Sequence, residues 1–326
     1  MTTFKEIRGT AIQSVSTDPT NPEEGQIWYN NTIGVLKGFD LTLAAWASGG
    51  NLSTGRYGLG GAGTQTAGLA FGGITTTRVA STEEYNGSTW GPGGNMNTAR
   101  GEMGSAGTQT AGLGFGGSLY AGPSNATEKY DGSVWTNSGN LGTSRSGLAG
   151  CGTQTAGLAF GGNVLPGISL QSSTEEFNGS TWSANPTGLG TARRYLAGAG
   201  TQTAGLAFGG LAPPGNTGQS ITEEYDGSAW TAGGNLNTAR SIFPGAGTQT
   251  AALGFGGYVV PGITLSATEL YNGSSWTTST PLITVKNNLA SAGTQTAGLG
   301  FGGNGLSNAT EEFTGAFLST KKITTS

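Results

Sequence analysis

The chain has 326 residues, of which 63 are glycine and 10% are charged, and its formal net charge is −4. It has no histidine and one cysteine, Cys151, which excludes an intrachain disulfide and a His-assisted nucleophile and leaves only an oxygen-ligand site for a metal. The low charge gives no basic footprint for nucleic acid, and no apolar run approaches the roughly 18 residues of a membrane span.

Residues 1–38 are predicted to form an N-terminal arm outside the repeats that follow. The first residues lack an apolar core, which argues against a secretory signal. The Asp-Pro-Thr-Asn-Pro sequence at residues 18–22 is typical of turns. Residues 26–30 and 34–38 flank Asn-Thr-Ile as the strands of a small hairpin would. Isolated hairpins are marginally stable, so we expect this one to pack on the rest of the chain or on a partner.

A twelve-residue segment at residues 62–73, Ala-Gly-Thr-Gln-Thr-Ala-Gly-Leu-Ala-Phe-Gly-Gly, occurs in six near-identical copies. Successive copies lie 44 to 48 residues apart. A fixed period in this range indicates a repeat architecture. The first threonines of the copies are Thr64, Thr108, Thr153, Thr201, Thr248 and Thr294.

Each repeat contains four strand-like pieces. The first is small and glycine-rich, as at residues 58–63, and the second is apolar and ends in Gly-Gly. The third ends in Tyr or Phe, and an Asn-Gly or Asp-Gly pair of the kind found in type I′ turns leads into a fourth that begins with Trp. Four short strands in about 45 residues describe a propeller blade. Small first strands allow crowding around an axis, where Cys151 is predicted to pack as an apolar group.

The double glycine, the Tyr or Phe and the Trp five residues later resemble the kelch repeat. The aromatic residues are Tyr85, Tyr130, Phe177, Tyr225, Tyr271 and Phe313, and the tryptophans are Trp90, Trp135, Trp182, Trp230 and Trp276. The resemblance covers residues 39–317 and implies an all-β, six-bladed kelch-type β-propeller. Residues 318–326 are left as a C-terminal tail.

Trp46 indicates how the ring closes. It precedes Arg56 by ten residues, the same interval that separates Trp90 from Arg100, whereas the last repeat lacks a Trp after Phe313. We therefore expect the strand around Trp46 to complete the last blade, which leaves no long free edge. In the alternative, residues 316–323 supply that blade's own fourth strand.

The six tryptophans, Trp46 included, are predicted to fill the space between neighbouring blades. Each repeat also carries one cation between its neighbour's fourth strand and its own first strand. In one interpretation each cation pairs with a repeated carboxylate such as Glu84, Glu176, Glu224 or Glu312; in the other, the ring binds an anion. The cations are Arg56, Arg100, Arg145, Arg193, Arg240 and Lys286.

The loops between the second and third strands vary most, and strand alternation places them on the same face as the cations. Variable loops on a rigid scaffold are the usual place for binding. On the opposite face, the Gln65-type residues of the Thr-Gln-Thr turns form either a hydrogen-bonded ring or solvated turns. The variable loops are residues 74–81, 118–126, 163–173, 211–221, 258–267 and 304–309.

No catalytic constellation is visible. Adjacent carboxylates such as Glu83 and Glu84 point to opposite faces of a strand and make no catalytic pair. Copper chemistry of the galactose-oxidase type would need histidines, and a sialidase-type site would need several arginines on one side of the channel. We therefore expect a protein that is not an enzyme and needs no cofactor or metal.

Residues 25–46, which include Trp28 and Tyr29, resemble a segment found in structural proteins of tailed bacteriophages, such as fibres and other virion-surface components. The resemblance implies a virion protein, made in the host cytoplasm, whose N-terminal arm anchors to other virion proteins through Trp28 and Tyr29. A homo-oligomer is expected, with the loop face meeting a host-surface protein or glycan. The alternatives are a cellular kelch-type protein-interaction scaffold and a lectin-like carbohydrate-binding propeller.

Overall fold

The computed structural model describes residues 12–323. Its strands belong to two compact units, one made of residues up to Ala44 together with those from Gly315, and the other of Ala45–Thr314. The predicted boundaries at residues 38 and 317 differ from this division, because the strand Val35–Thr42 runs past residue 38 and pairs with Phe317–Lys322. Among the described residues, no helix has the length and apolarity needed to cross a membrane.

The first unit contains a four-stranded sheet. The predicted hairpin is confirmed, since Ile27–Asn30 pairs antiparallel with Val35–Thr42. Gln13–Val15 adds in parallel on one side, and Phe317–Lys322 adds antiparallel on the other. The alternative in which residues 316–323 complete the last repeat is therefore wrong: these residues belong to a different sheet.

The second unit is built from six four-stranded antiparallel sheets, one for each repeat, so the all-β, propeller-like arrangement is confirmed. The first contains Gly60–Gly63, Gly68–Phe71, Thr82–Tyr85 and Trp90–Gly93. The second contains Gly104–Thr108, Ala111–Phe115, Thr127–Tyr130 and Trp135–Ser138. The third contains Ala149–Gly152, Gly157–Phe160, Thr174–Phe177 and Trp182–Asn185. The fourth contains Ala197–Gly200, Gly205–Phe208, Thr222–Tyr225 and Trp230–Ala232. The fifth contains Gly245–Thr248, Ala251–Phe255, Thr268–Tyr271 and Trp276–Ser279. The sixth contains Ala290–Gly293, Ala297–Phe301, Thr310–Thr314 and Ala45–Ser48.

Four of the variable loops form small two-stranded hairpins of their own. Their strands are Ser118–Leu119 with Gly122–Pro123, Asn163–Val164 with Ser169–Leu170, Leu211–Ala212 with Thr217–Gly218, and Tyr258–Val259 with Ile263–Thr264.

The strand around Trp46 is the fourth strand of the sixth sheet. Phe313 and Trp46 are directly opposite each other in the antiparallel pair formed by Thr310–Thr314 and Ala45–Ser48. Along the chain, the first strand of each sheet contacts the first strand of the next, and Ala290–Gly293 of the sixth sheet contacts Gly60–Gly63 of the first.

Each of the six repeat tryptophans, Trp46 included, packs between two neighbouring sheets. Trp135 of the second sheet packs against Phe71 of the first in a tilted arrangement with ring centroids 4.7 Å apart, and its indole N–H donates to Thr82 Oγ1 at 3.0 Å. Trp46 does the same toward the fifth sheet, with Phe255 and Thr268. Neighbouring sheets also approach closely at the start of the second strand. Glycine permits this at residue 68, because a Cβ there would lie 2.8 Å from Leu299 of the sixth sheet.

The turn between the third and fourth strands is not of type I′. Both central residues of that turn need positive φ, but in the first repeat only Gly87 has it, at +90°. The Asn86 side chain instead accepts hydrogen bonds from the backbone N–H groups of Ser88 and Thr89, at 3.0 and 2.9 Å. The loop therefore spans four residues and is held by an Asx-type turn.

Candidate functional site

The six repeated cations form buried ion pairs. Arg56 lies 2.8 Å from Glu83, Arg100 lies 2.9 Å from Glu128, and all five arginines are 0% exposed. In the fourth and sixth sheets the contact, at 2.9 and 3.0 Å, lacks the alignment of a hydrogen bond. The remaining pairs are Arg145–Glu175, Arg193–Glu223, Arg240–Glu269 and Lys286–Glu311.

The expected partners Glu84, Glu176, Glu224 and Glu312 are wrong by one position. Each cation pairs with the preceding residue, which lies on the other face of the third strand because successive side chains alternate. Burial lowers the pKa of each arginine, and the neighbouring glutamate charge opposes that shift. Since solvent does not reach these guanidinium groups, they offer no exposed charge to an anion.

These arginines hold the bases of the variable loops. Arg100 Nη1 donates to the carbonyl of Gly116 at 2.8 Å and to that of Ala126 at 2.5 Å, so it links the two ends of the loop at residues 118–126. Arg145 and Arg240 make the same pair of contacts to their own loops. A charged donor with several fixed acceptors is a strong local constraint. Arg100, Arg145 and Arg240 therefore fix the bases of their own variable loops.

Four repeats have a second glutamate directly after the ion-paired one, and this second glutamate connects neighbouring sheets. The Tyr130 hydroxyl donates to Glu84 of the preceding sheet at 2.6 Å, and the Tyr85 hydroxyl donates to Glu312 of the sixth sheet at 2.5 Å. Tyr225 and Tyr271 make the same bond to Glu176 and Glu224. Burial, followed by the hydrogen bond to glutamate, raises the pKa of Tyr130 to about 12.

The choice of Tyr or Phe at the end of each third strand correlates with the residue at the position of Glu84 in the preceding sheet. Where that side chain is glutamate, the next sheet carries Tyr. Where it is Lys129 or Leu270, the next sheet carries Phe177 or Phe313, which has no hydroxyl to satisfy. This covariation within one chain was visible in the sequence and identifies which sheets are neighbours, because a buried hydroxyl requires a partner.

The six glutamines of the Thr-Gln-Thr turns also link the sheets, which confirms the hydrogen-bonded interpretation. Gln109 Nε2 donates to the carbonyls of Gly68 and Tyr85 in the preceding sheet, at 3.0 and 2.7 Å. Gln65 of the first sheet donates to Gly298 and Phe313 of the sixth. The other four make equivalent pairs of bonds: Gln154, Gln202, Gln249 and Gln295.

A circle of backbone hydrogen bonds links the residues that precede the first strands of the six sheets. It uses the second residue after each paired cation, and each N–H donates to the carbonyl of the equivalent residue in the preceding sheet at 2.7 to 2.9 Å. All six residues have positive φ, between 54° and 60°. They are Gly58, Glu102, Gly147, Tyr195, Ile242 and Asn288, and the Gly58 N–H completes the circle by donating to Asn288. Sequence patterns did not reveal it, because the positions share no residue type.

Four members of this circle carry side chains although the backbone favours glycine. A bulky or β-branched residue such as Ile242 is rare at positive φ, and each such residue costs roughly 1–3 kcal/mol. Tyr195 lies across Gly147, where an added Cβ would be 3.0 Å from its ring, and its hydroxyl donates to Glu102 at 3.0 Å. Together with Gly58 and Gly147, these four residues line a small cavity of about 100 Å³.

Beneath the circle, the first strands line a cavity of about 210 Å³ with glycine, alanine and serine. The Cys151 side chain is buried at this wall, and burial raises the pKa of its thiol to about 12. The group is therefore protonated at neutral pH and packs as a small apolar side chain.

The variable loops carry most of the exposed apolar side chains of the second unit. Eight of the nine large apolar residues that are exposed in this unit lie in these loops or in the adjacent connections that carry the cations. Bridges such as Ser146 with Asn163 join five of these connections to their loops, and in the sixth the Asn304 N–H donates to the carbonyl of Asn287 at 2.9 Å. The eight residues are Tyr120, Leu165, Ile168, Val260, Ile263, Ile283, Val285 and Leu306.

The two residues predicted as an N-terminal anchor have different environments in the first unit. Trp28 is buried, and its indole N–H donates to Asp18 at 3.0 Å. Hydrogen bonds from Lys37, Asn30 and Trp28 lower the pKa of Asp18 to about 2. Tyr29 is 40% exposed. Trp28 is therefore part of the buried structure of the first unit, and of the two residues only Tyr29 is accessible to another protein.

Two comparisons with known proteins gave no match: no protein-family model fits the chain, and no curated protein resembles it in sequence.

Proposed function

We propose that this chain is a non-enzymatic binding protein of a tailed-bacteriophage virion, in which six sheets close into a kelch-type β-propeller that presents one variable face. The observation that carries the binding role is the concentration of exposed apolar side chains on the loops at one face. Variable loops on a rigid scaffold are the usual place for binding, and exposed apolar side chains on them offer area that a partner can bury.

Closure of the ring is supported by four kinds of contact that join the first sheet to the sixth. Tyr85 donates to Glu312, Gln65 donates to Phe313, Trp90 donates to Thr310, and Gly58 donates to Asn288. Each repeats the geometry that joins the other neighbouring sheets. A closed ring has a stiff body, so ordering the loops on it costs little when a partner binds.

The virion assignment is supported by the segment at residues 25–46 and by the surface of the first unit. This unit exposes several large apolar side chains on a small sheet, which suits attachment to another protein. Tyr29, Phe317 and Leu318 lie on its strands, and Ile12, Ile33 and Leu43 lie beside them in the chain. In this proposal the first unit attaches to a neighbouring virion protein, or to further copies of the chain, and the loop face of the second unit contacts the host surface.

Density-purified particles test the assignment. Mass spectrometry should detect peptides of this chain in the particles, and antibodies raised against Ala45–Thr314 should label them without disruption. Detection of the protein only in the particle-free fraction would overturn the virion role. A cellular kelch-type scaffold would then be the better description, since the loop face would still serve protein binding.

A further inference from the structure

A groove on the loop face lies between the loops of the second and third sheets. Its volume is about 360 Å³, and it is bounded by Tyr120 on one side and by Leu165 and Ile168 on the other. Two arginines, Arg78 from the first sheet's loop and Arg194 from the connection to the fourth sheet, line the same groove.

These two arginines differ from the repeated cations because neither has a carboxylate partner among residues 12–323. Arg78 donates to the carbonyl and hydroxyl oxygens of Ser118, at 3.2 and 3.3 Å. The Arg194 guanidinium lies 5.0 Å from the ring centre of Tyr195, and its buried Nε has no hydrogen-bond partner. No Asp or Glu lines the groove in the part of the chain that the structure describes.

The framework of the fold does not require a charge at residue 194. This position follows the paired cation, and its backbone bridges to the first residue of the variable loop. The equivalent residues are uncharged, namely Tyr57, Gly101, Ser146, Ser241 and Asn287. Of the nine Lys and Arg residues in Ala45–Thr314, six form the buried pairs, and two of the other three are Arg78 and Arg194. Two cations that have no carboxylate partner in the described part of the chain therefore line one groove of a protein with net negative charge.

Three large apolar side chains that line the groove are open to solvent. Tyr120 is 96% exposed, Leu165 is 54% exposed and Ile168 is 57% exposed. Burying exposed aliphatic side chains against another apolar group is favourable. A sugar would place hydroxyl groups against Leu165 and Ile168, and those hydroxyls would lose hydrogen bonds to water. A peptide offers a carboxylate and an apolar side chain together.

We propose that this groove binds an acidic peptide segment of a protein partner, with a carboxylate held by Arg78 and Arg194 and an adjacent apolar side chain between Tyr120 and Leu165. The inference rests on the proposed binding function, for which it supplies a location and a ligand chemistry. Arginine is suited to the role because its planar donors engage a carboxylate in bidentate fashion.

A library of random heptapeptides selected against the full chain tests the proposal. Recovered sequences should combine Asp or Glu with Leu, Phe or another large apolar residue. A fluorescein-labelled heptapeptide from the selection should bind the Arg78→Gln/Arg194→Gln variant at least about tenfold more weakly, since each charge-assisted hydrogen bond is worth about that factor. Its affinity should be unchanged in Lys129→Gln, which removes the third cation outside the paired set and lies away from the groove.

Three results would overturn the proposal: recovery of no peptides, recovery of peptides without acidic residues, or equal binding by the double variant. A parallel titration with N-acetylneuraminate and glucuronate distinguishes a sugar-acid site. Binding of either one, lost in the double variant while no peptide is enriched, would also overturn the peptide assignment. Thermal unfolding checks that both variants remain folded. Because the isolated chain is used, these outcomes are independent of whether the protein is found in particles.

Discussion

The buried pair of Arg100 and Glu128 gives a prediction whose size follows from its contacts. Glu128→Leu leaves a guanidinium group that is 0% exposed without its counter-ion, and Arg100→Met leaves the carboxylate in the same position. Losing one partner of a buried pair costs about 3–5 kcal/mol in the free energy of unfolding. Arg100→Met also removes the donor to Gly116 and Ala126, which loosens the base of the loop at residues 118–126.

The double variant Arg100→Met/Glu128→Leu contains no lone buried charge, so it should lose less than the sum of the single losses. The double variant still leaves the carbonyl groups of Gly116 and Ala126 without their donor, and each unsatisfied polar group lowers the free energy of unfolding by about 1–3 kcal/mol. We expect the double variant to be at least about 3 kcal/mol more stable than additivity would give. Urea unfolding at neutral pH, followed by tryptophan fluorescence, measures the four free energies of the cycle.

An exposed pair in the first unit provides the matched control. Lys321 and Asp40 lie 2.8 Å apart with side chains 53% and 37% exposed, and an exposed pair contributes only about 0.2–1 kcal/mol. The same cycle with Lys321→Met and Asp40→Leu should give a coupling within that range. If the Arg100 and Glu128 losses add to within about 0.5 kcal/mol, the two groups are not coupled, and the account of the buried pairs fails.

Three further predictions concern single groups. Tyr130→Phe removes the hydroxyl that donates to Glu84 and should lower the free energy of unfolding, measured by urea titration, by about 1.5–3 kcal/mol. An unchanged free energy of unfolding would contradict this hydrogen bond. The pKa of Tyr130 is raised from 10.0 to about 12 in the folded chain. Its contribution to the free energy of unfolding is therefore full below pH 10 and is lost as the pH rises through 12. Between pH 9 and 11 the free energy of unfolding should fall more steeply in the native chain than in Tyr130→Phe, and parallel curves would refute this. The buried Cys151 thiol should react with a disulfide reagent only after unfolding in urea, so a fast reaction in the native chain would contradict its placement.

The sequence was sufficient to predict the four strands of each repeat, the position of Trp46 and the face that carries the variable loops. These features depend on patterns that recur six times in register. The partner of each cation was missed by one residue, although the sequence carried a signal for it. The position of Glu83 is glutamate in all six repeats, whereas the position of Glu84 is Lys129 and Leu270 in two of them. The covariation of Tyr with glutamate was available in the sequence and would have identified neighbouring sheets.

Other features had no sequence signal. The circle of backbone hydrogen bonds at the axis depends on φ values, and residues as different as Gly58 and Ile242 occupy equivalent positions. The pairing of Phe317–Lys322 with Val35–Thr42 joins segments far apart in the chain that match no repeat. The groove between Arg78 and Arg194 arises where loops of different repeats meet, so no single repeat contains its pattern.

An engineered disulfide tests most directly whether the two ends of the repeat array meet in one sheet. Ala45 and Thr314 are directly opposite each other in the antiparallel pair of the sixth sheet. With Cys151→Ala to remove the native thiol, Ala45→Cys/Thr314→Cys should oxidise within one chain, run faster on a non-reducing gel and gain roughly 5 kcal/mol of stability from closing so long a loop. Disulfide-linked dimers, or two thiols that stay reduced under oxidising conditions, would contradict the closed six-sheet ring.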